Sequence, residues 1–128
     1  MKKKIAILGS TGSIGKSLIN ILKKDKKNFE IVLLSTNKNL DELIKQTNIF
    51  RVKNIIISNK KSYQKAKKIF KNKKINIYEN FENLNYVFKN KKIDYVMSSI
   101  SGLAGLRPTI NIIEFSKIIA IANKESII

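Results

Sequence analysis

The sequence predicts a doubly wound α/β domain, a mainly parallel sheet held between two layers of helices. Three observations predict it. Short apolar runs alternate along the whole chain with stretches of helical periodicity. Those runs are continuous rather than alternating apolar and polar, as in strands covered on both faces. The first run, Ile5-Ala6-Ile7-Leu8, opens directly into Gly9-Ser10-Thr11-Gly12-Ser13-Ile14-Gly15. That is three glycines spaced three apart ahead of an amphipathic segment, the order found in Rossmann-like units.

Taken in order, residues 4–8 read as a buried strand. Residues 13–24 read as a helix, with Ile14, Leu18, Ile21 and Leu22 on one face. A second strand at 30–35 is rich in Ile, Val and Leu, and a short helix follows at 40–47. Residues 54–58 give a third strand and 62–71 a third helix. A weaker strand at 75–78 precedes a helix near 82–89. Residues 93–98 form another strand, and Gly102, Gly105 and Pro108 break the chain before a helix near 109–115. The last strand is 117–122. Strand–helix–strand units of about 30 residues imply parallel pairing through right-handed crossovers. The result is a three-layer α/β/α sandwich, with no internal repeat and no low-complexity linker.

The chain of 128 residues amounts to one domain, long enough to bury a core without disulfides or metal. It contains no Cys and no His. A disulfide, a thiolate nucleophile and a Cys-based metal site are therefore excluded, and the commonest neutral-pH base is missing. Acid–base work would fall to Lys, Tyr or a carboxylate. No apolar run approaches the roughly 18 residues that span a bilayer. The basic start, Met1-Lys2-Lys3-Lys4, flanks the first strand and leads into too short an apolar run for a secretory signal. A cytoplasmic protein is expected.

The net charge is +17, from 26 Lys and Arg against 9 Asp and Glu. Only two of those cations are Arg, whereas Lys (24), Ile (24) and Asn (15) dominate. That bias fits A/T-rich coding, which fills tolerant surface sites with Lys. Readers of nucleic acid favour Arg with interleaved aromatics, and no such interleaving is present. The lysines read as solvated surface, with no nucleic-acid partner. Their field still favours capture of phosphorylated small molecules.

The glycine loop is the strongest chemical signal. A helix N-terminus presents unpaired N–H groups and a partial positive charge, both matched to pyrophosphate. Glycine lets the backbone turn and approach the phosphate, and Thr11 and Ser13 add hydroxyls. A tight turn without ligand would need the same glycines, but the flanking strand and helix place this one at the first β–α turn of a dinucleotide site. The end of the second strand then selects the cofactor. An NAD site carries Asp or Glu about 20 residues past the glycines. Here the stretch is Ser35-Thr36-Asn37-Lys38-Asn39. An acid would repel a 2′-phosphate, and Lys38 beside neutral donors would attract it, so NADP is favoured over NAD, although Lys38 is also one lysine of many. Asn123-Lys124-Glu125-Ser126 follows the last strand. It supplies either an amide, a cation and an acceptor facing a ligand crevice, or simply the first turn of a helix. The small-residue loop 98–105 either passes a nicotinamide or is an ordinary connection. Asp94 and Tyr95 lie inside a strand and read as structural.

Taken together, Gly9 to Gly15, Lys38-Asn39, Gly102-Leu-Ala-Gly-Leu-Arg-Pro-Thr109 and Ala122-Asn-Lys-Glu-Ser126 resemble one family, 1-deoxy-D-xylulose 5-phosphate reductoisomerase. The resemblance spans all 128 residues. It implies an NADPH-dependent oxidoreductase of the methylerythritol phosphate route to isoprenoids. Such an enzyme rearranges 1-deoxy-D-xylulose 5-phosphate and reduces the product to 2-C-methyl-D-erythritol 4-phosphate. It also implies a divalent cation, Mg2+ or Mn2+, and a homodimer of chains about three times this length. The metal ligands, phosphate pocket and lid would then lie beyond residue 128, with no catalytic or metal residue in residues 1–128, which would form an NADP(H)-binding domain inactive in isolation. Carried over by position, Thr11, Gly12, Ser13 and Ile14 line the NADPH phosphates and adenosine ribose. Lys38 and Asn39 meet the 2′-phosphate side, with Asn37 where the family often has Gly. Asn123 and Glu125 approach the nicotinamide, and Lys124 the substrate. Ser98 to Ser101 replaces a more apolar loop. Two other readings remain at this point: a semialdehyde-dehydrogenase-like NADP enzyme, whose Cys would have to lie downstream, and a basic nucleic-acid module with steep salt dependence.

Overall fold

The computed structural model describes residues 2–82, 88, 93–100 and the backbone of the strand 116–121. The chain forms β1 (Lys3–Leu8), α1 (Ser13–Leu22), a 3-10 turn (Lys23–Asp25), β2 (Phe29–Thr36), α2 (Leu40–Phe50), β3 (Asn54–Ile57), α3 (Lys60–Ile69), β4 (Asn76–Tyr78), β5 (Ile93–Ser98) and β6 (Ser116–Ile121). The helices expected near 82–89 and 109–115 lie outside the described residues, except that Phe88 is helical and buried.

All six strands pair in parallel, in the order β4-β3-β2-β1-β5-β6. The order reverses at β1: the chain grows outward through β2, β3 and β4, then crosses back to β5 on the other side. In such sheets the crevice for a ligand opens outside the carboxyl ends of the two strands at the reversal, here β1 and β5. The register between β1 and β2 slips by one residue between Ile5 and Ala6, which pair with Ile31 and Leu33.

Strands β1, β2 and β3 each supply both faces of the core, which explains their unbroken apolar sequence. Ile5, Ile7, Ile31, Leu34, Ile55 and Ile57 pack with Ile19 and Leu22 of α1, Leu43 of α2 and Ala66 of α3. Ala6, Leu8, Leu33, Ile56, Ile93 and Val96 face the other way, onto Phe88.

Helix α1 corrects one expectation. Its buried residues are Gly15, Ile19 and Leu22, with Leu18 half-buried, whereas Ile14 and Ile21 stand 48% and 66% exposed. Gly15 decides the rotation. It is the residue that sits against the loop backbone, so positions four and seven beyond it face the sheet, and Ile14 and Ile21 fall on the adjoining stripe. Helix α2 runs three residues past its expected end. It stops at Arg51, which takes the left-handed conformation (φ 53°) and donates its N–H to the Thr47 carbonyl.

Candidate functional site

The turn from β1 into α1 places its three glycines in three different situations. Gly9 has φ +77°, and a Cβ there would meet Ile100 and the Ser99 backbone at 3.1–3.2 Å. Gly15 is packed so closely that a Cβ would lie 2.5 Å from the Ser10 carbonyl oxygen. Gly12 is different: its φ of −76° suits any residue, and the nearest atom to a Cβ would be the Gly9 oxygen at 3.7 Å. Among the described residues nothing requires glycine at position 12. What the missing side chain leaves is open space over the N-terminus of α1, the clearance that close approach of a phosphate requires.

The end of α1 is also unlike its neighbours. Asn39 caps α2 by accepting from the Glu42 N–H (3.2 Å), and Asn59 caps α3 by accepting from the Ser62 N–H (3.0 Å). Among the described residues no side chain caps α1, and its first turn carries no acid. Such a helix end, with its N–H groups and partial positive charge, is suited to an external anion. Gly12, Ser13 and Ile14 are all exposed there. These features fit a bound pyrophosphate.

The loop is held rigidly from below. Gly9 N–H donates to Ser35 Oγ (2.8 Å) and Ser10 N–H to the Ser35 carbonyl (2.9 Å). Thr11 and Thr36 share a hydroxyl hydrogen bond of 2.6 Å. Just past β5, Ser99 Oγ donates to the carbonyls of Leu8 and Gly9, both at 2.9 Å. From α2, the fully buried Gln46 donates Nε2 to the Ser10 carbonyl (2.9 Å). Its Oε1 is, with Thr47 Oγ1, a buried side-chain atom without a partner among the described residues. Turning the amide over would aim oxygen at oxygen, so the grip on Ser10 fixes its orientation. Ser35, Gln46 and Ser99 were not among the expected site residues. Their signal was a polar side chain on an otherwise apolar strand or helix stripe.

The β2–α2 turn lies beside this loop, joined to it by the Ser35 and Thr36 contacts. Asn37, Lys38 and Asn39 are exposed. Asn37 Oδ1 accepts from Ser58 Oγ (3.0 Å), and its carbonyl accepts from the Asn59 N–H (3.1 Å). The side-chain oxygen of Asn39 is committed to the α2 cap. Asn39→Ala should therefore cost about 1 kcal/mol of stability, read as a lower urea midpoint. Thus the structure brings the glycine loop and the β2–α2 turn together. Asn123, Lys124 and Glu125 lie outside the described residues, as does the loop from Ser101 onward.

Of the two residues weighed for acid–base work, Asp94 has a structural partner. Asp94 accepts from the Lys4 N–H at 2.8 Å, at the end of the sheet opposite the glycine loop. Tyr95 is exposed on the same strand. Burial raises the Tyr78 hydroxyl above its ordinary pKa, so it stays neutral at physiological pH. Among the described residues no group of three Asp, Glu, His or Cys could hold a metal ion, and no helix is long and apolar enough to cross a membrane.

The parallel sheet, its reversal at β1 and the open, uncapped glycine turn define a Rossmann-type α/β domain of the dinucleotide-binding class. Comparison with known proteins narrows this. The sequence model of 1-deoxy-D-xylulose 5-phosphate reductoisomerase matches residues 5–128, and the chain belongs to that family. It is 57% identical over 127 residues to the reductoisomerase of Pelagibacter ubique, covering 98% of this chain and 33% of that protein. It is 41% identical over 128 residues to that of Buchnera aphidicola, covering 98% and 32%. The chain thus spans about a third of the length of the curated relatives it matches. Among solved structures, the Zymomonas mobilis enzyme in complex with NADPH superposes with a TM-score of 0.87 at 26% identity, over 99% of this chain and 33% of that one. A reductoisomerase in complex with NADPH, fosmidomycin and magnesium gives 0.85 at 29% identity, over 98% and 31%. Membership of this family displaces the semialdehyde-dehydrogenase-like alternative.

Proposed function

We propose that residues 1–128 are the NADPH-binding domain of a 1-deoxy-D-xylulose 5-phosphate reductoisomerase. The carrying observation is Gly12: a glycine that no contact among the described residues requires, over a helix end that none of their side chains caps. In this reading the N–H groups at the start of α1 hold the cofactor's pyrophosphate. Thr11, Gly12, Ser13 and Ile14 line the phosphates and ribose. Asn37, Lys38 and Asn39 face the 2′-phosphate. Asn123 and Glu125 approach the nicotinamide, and Lys124 the phosphosugar. NADPH supplies a hydride. The domain's own work is to fix the dinucleotide at the carboxyl edge of β1, with no side chain competing for its phosphates.

The rest of the reaction lies with residues beyond this chain: a divalent cation, Mg2+ or Mn2+, and the pocket for 1-deoxy-D-xylulose 5-phosphate. The working enzyme is proposed to be a cytoplasmic homodimer with no nucleic-acid partner, and this segment alone to be inactive. The test is NADPH oxidation by the full-length protein, which should require both 1-deoxy-D-xylulose 5-phosphate and a divalent cation. Oxidation that proceeds without the sugar phosphate, or none at all in a folded protein, would contradict the proposal.

The selectivity for NADPH has its own prediction. Lys38→Glu places a carboxylate where a 2′-phosphate would sit, while α2 keeps its cap. NADPH affinity should fall by roughly tenfold or more, the worth of one charged hydrogen bond, with NADH affinity unchanged. Parallel fluorescence titrations measure both.

A further inference from the structure

Resting on the NADPH reading, we propose that Lys65 and Lys68 of α3 share the 2′-phosphate with Lys38, so that two elements set the preference for the phosphorylated dinucleotide. Between the start of α2 and the length of α3 lies a cleft of about 400 Å3 lined by Lys38, Asn39, Asp41, Ser62, Lys65 and Lys68, among others. Ser62, Lys65 and Lys68 are spaced three apart and form one stripe of α3. That stripe lines the same cleft as Lys38.

Helix α3 is tied to the turn that carries Lys38. Ser62 Oγ donates to the Lys38 carbonyl (3.2 Å), and the Asn59 N–H donates to the Asn37 carbonyl (3.1 Å). The residue just before α3's cap, Ser58, donates to Asn37 Oδ1 (3.0 Å). The lysines of α3 therefore hold a fixed relation to the turn. Three cations and one carboxylate, Asp41, leave the cleft with a net positive charge suited to a phosphate dianion. Not every α3 lysine shares this: Lys67 lies over the Tyr63 ring, 5.4 Å from its centre, and does not line the cleft.

That contrast supplies an internal control in a lysine-rich chain. In the full-length protein, NADPH and NADH affinities should be measured by fluorescence for the wild type, Lys38→Ala, the double variant Lys65→Ala/Lys68→Ala, the double variant Lys65→Arg/Lys68→Arg, and Lys67→Ala. All these side chains are exposed, so the variants are expected to fold. The double alanine variant should lose about fivefold in NADPH affinity. The loss should shrink at high salt, and NADH binding should be unaffected. The arginine pair should restore NADPH binding, and Lys67→Ala should match the wild type. Unchanged NADPH affinity in the double alanine variant, with Lys38→Ala still weakened, would overturn the proposal and leave the phosphate to the β2–α2 turn alone. Equal losses for NADPH and NADH, or the same loss in Lys67→Ala, would overturn it as a general charge effect. A wild type without preference for NADPH would instead bring down the underlying reading.

Discussion

Alanine at position 15 should strip the domain of about 3 kcal/mol of stability, at the top of the range for overpacking, and valine should leave it largely unfolded. A Cβ on Gly15 would sit 2.5 Å from the Ser10 oxygen and 2.6 Å from the Ser10 carbonyl carbon and Cα. All three are backbone atoms, with no flexible end to swing aside. Nor can Ser10 retreat. Its N–H is bonded to the Ser35 carbonyl, its hydroxyl donates to the same oxygen at 3.3 Å, and its own carbonyl is held by Gln46. The helix must give way instead, and that withdraws Ile19 and Leu22 from the core they fill with Ile5, Ile7 and Ile31. Total stabilities run from about 5 to 15 kcal/mol, so the loss is large. A fall of roughly 10 °C or more in the melting temperature of Gly15→Ala is expected. Wild-type stability in that variant would mean that α1 does not rest on the loop backbone as described.

Aspartate at position 12 should do the opposite. The backbone there suits any residue, and among the described residues a Cβ meets nothing closer than 3.7 Å. Gly12 is the N-cap of α1, and aspartate is among the best N-caps and complements the helix dipole. Gly12→Asp should therefore fold with unchanged or slightly greater stability. Its carboxylate would occupy the clearance over the N-terminus of α1 and repel a phosphate. NADPH affinity should drop at least a hundredfold, or about 2.7 kcal/mol. Melting and titration of the same preparation check both halves. The two glycines lie three residues apart in one turn and separate folding from binding: one substitution should lose stability, the other only the ligand.

The sheet was legible because its strands are covered on both faces and so carry unbroken apolar sequence. Lys3–Leu8, Phe29–Thr36, Asn54–Ile57 and Ile93–Ser98 all fall within a residue or two of their expected positions. The helix ends were less legible. Leu40–Phe50 stops only where Arg51 turns left-handed, a conformation that an arginine does not advertise. The face of α1 was misjudged for a related reason. Ile14 and Ile21 look like core, but the contact that orients the helix is made by Gly15, a residue with no side chain to weigh. The glycine turn and its place between β1 and α1 could be read from residue type and order. Gln46, Ser35 and Ser99 could not. Each acts through hydrogen bonds to backbone far away in sequence, and only the assembled sheet brings those partners together.

The most direct test of the account is an equilibrium titration of the folded wild-type protein and of Gly12→Asp with NADPH and with NADH. The account predicts saturable binding by the wild type with clear preference for NADPH, and loss of that binding in a Gly12→Asp protein that melts no lower than the wild type. Equal affinity for both dinucleotides, or undiminished NADPH binding with aspartate at position 12, would contradict it.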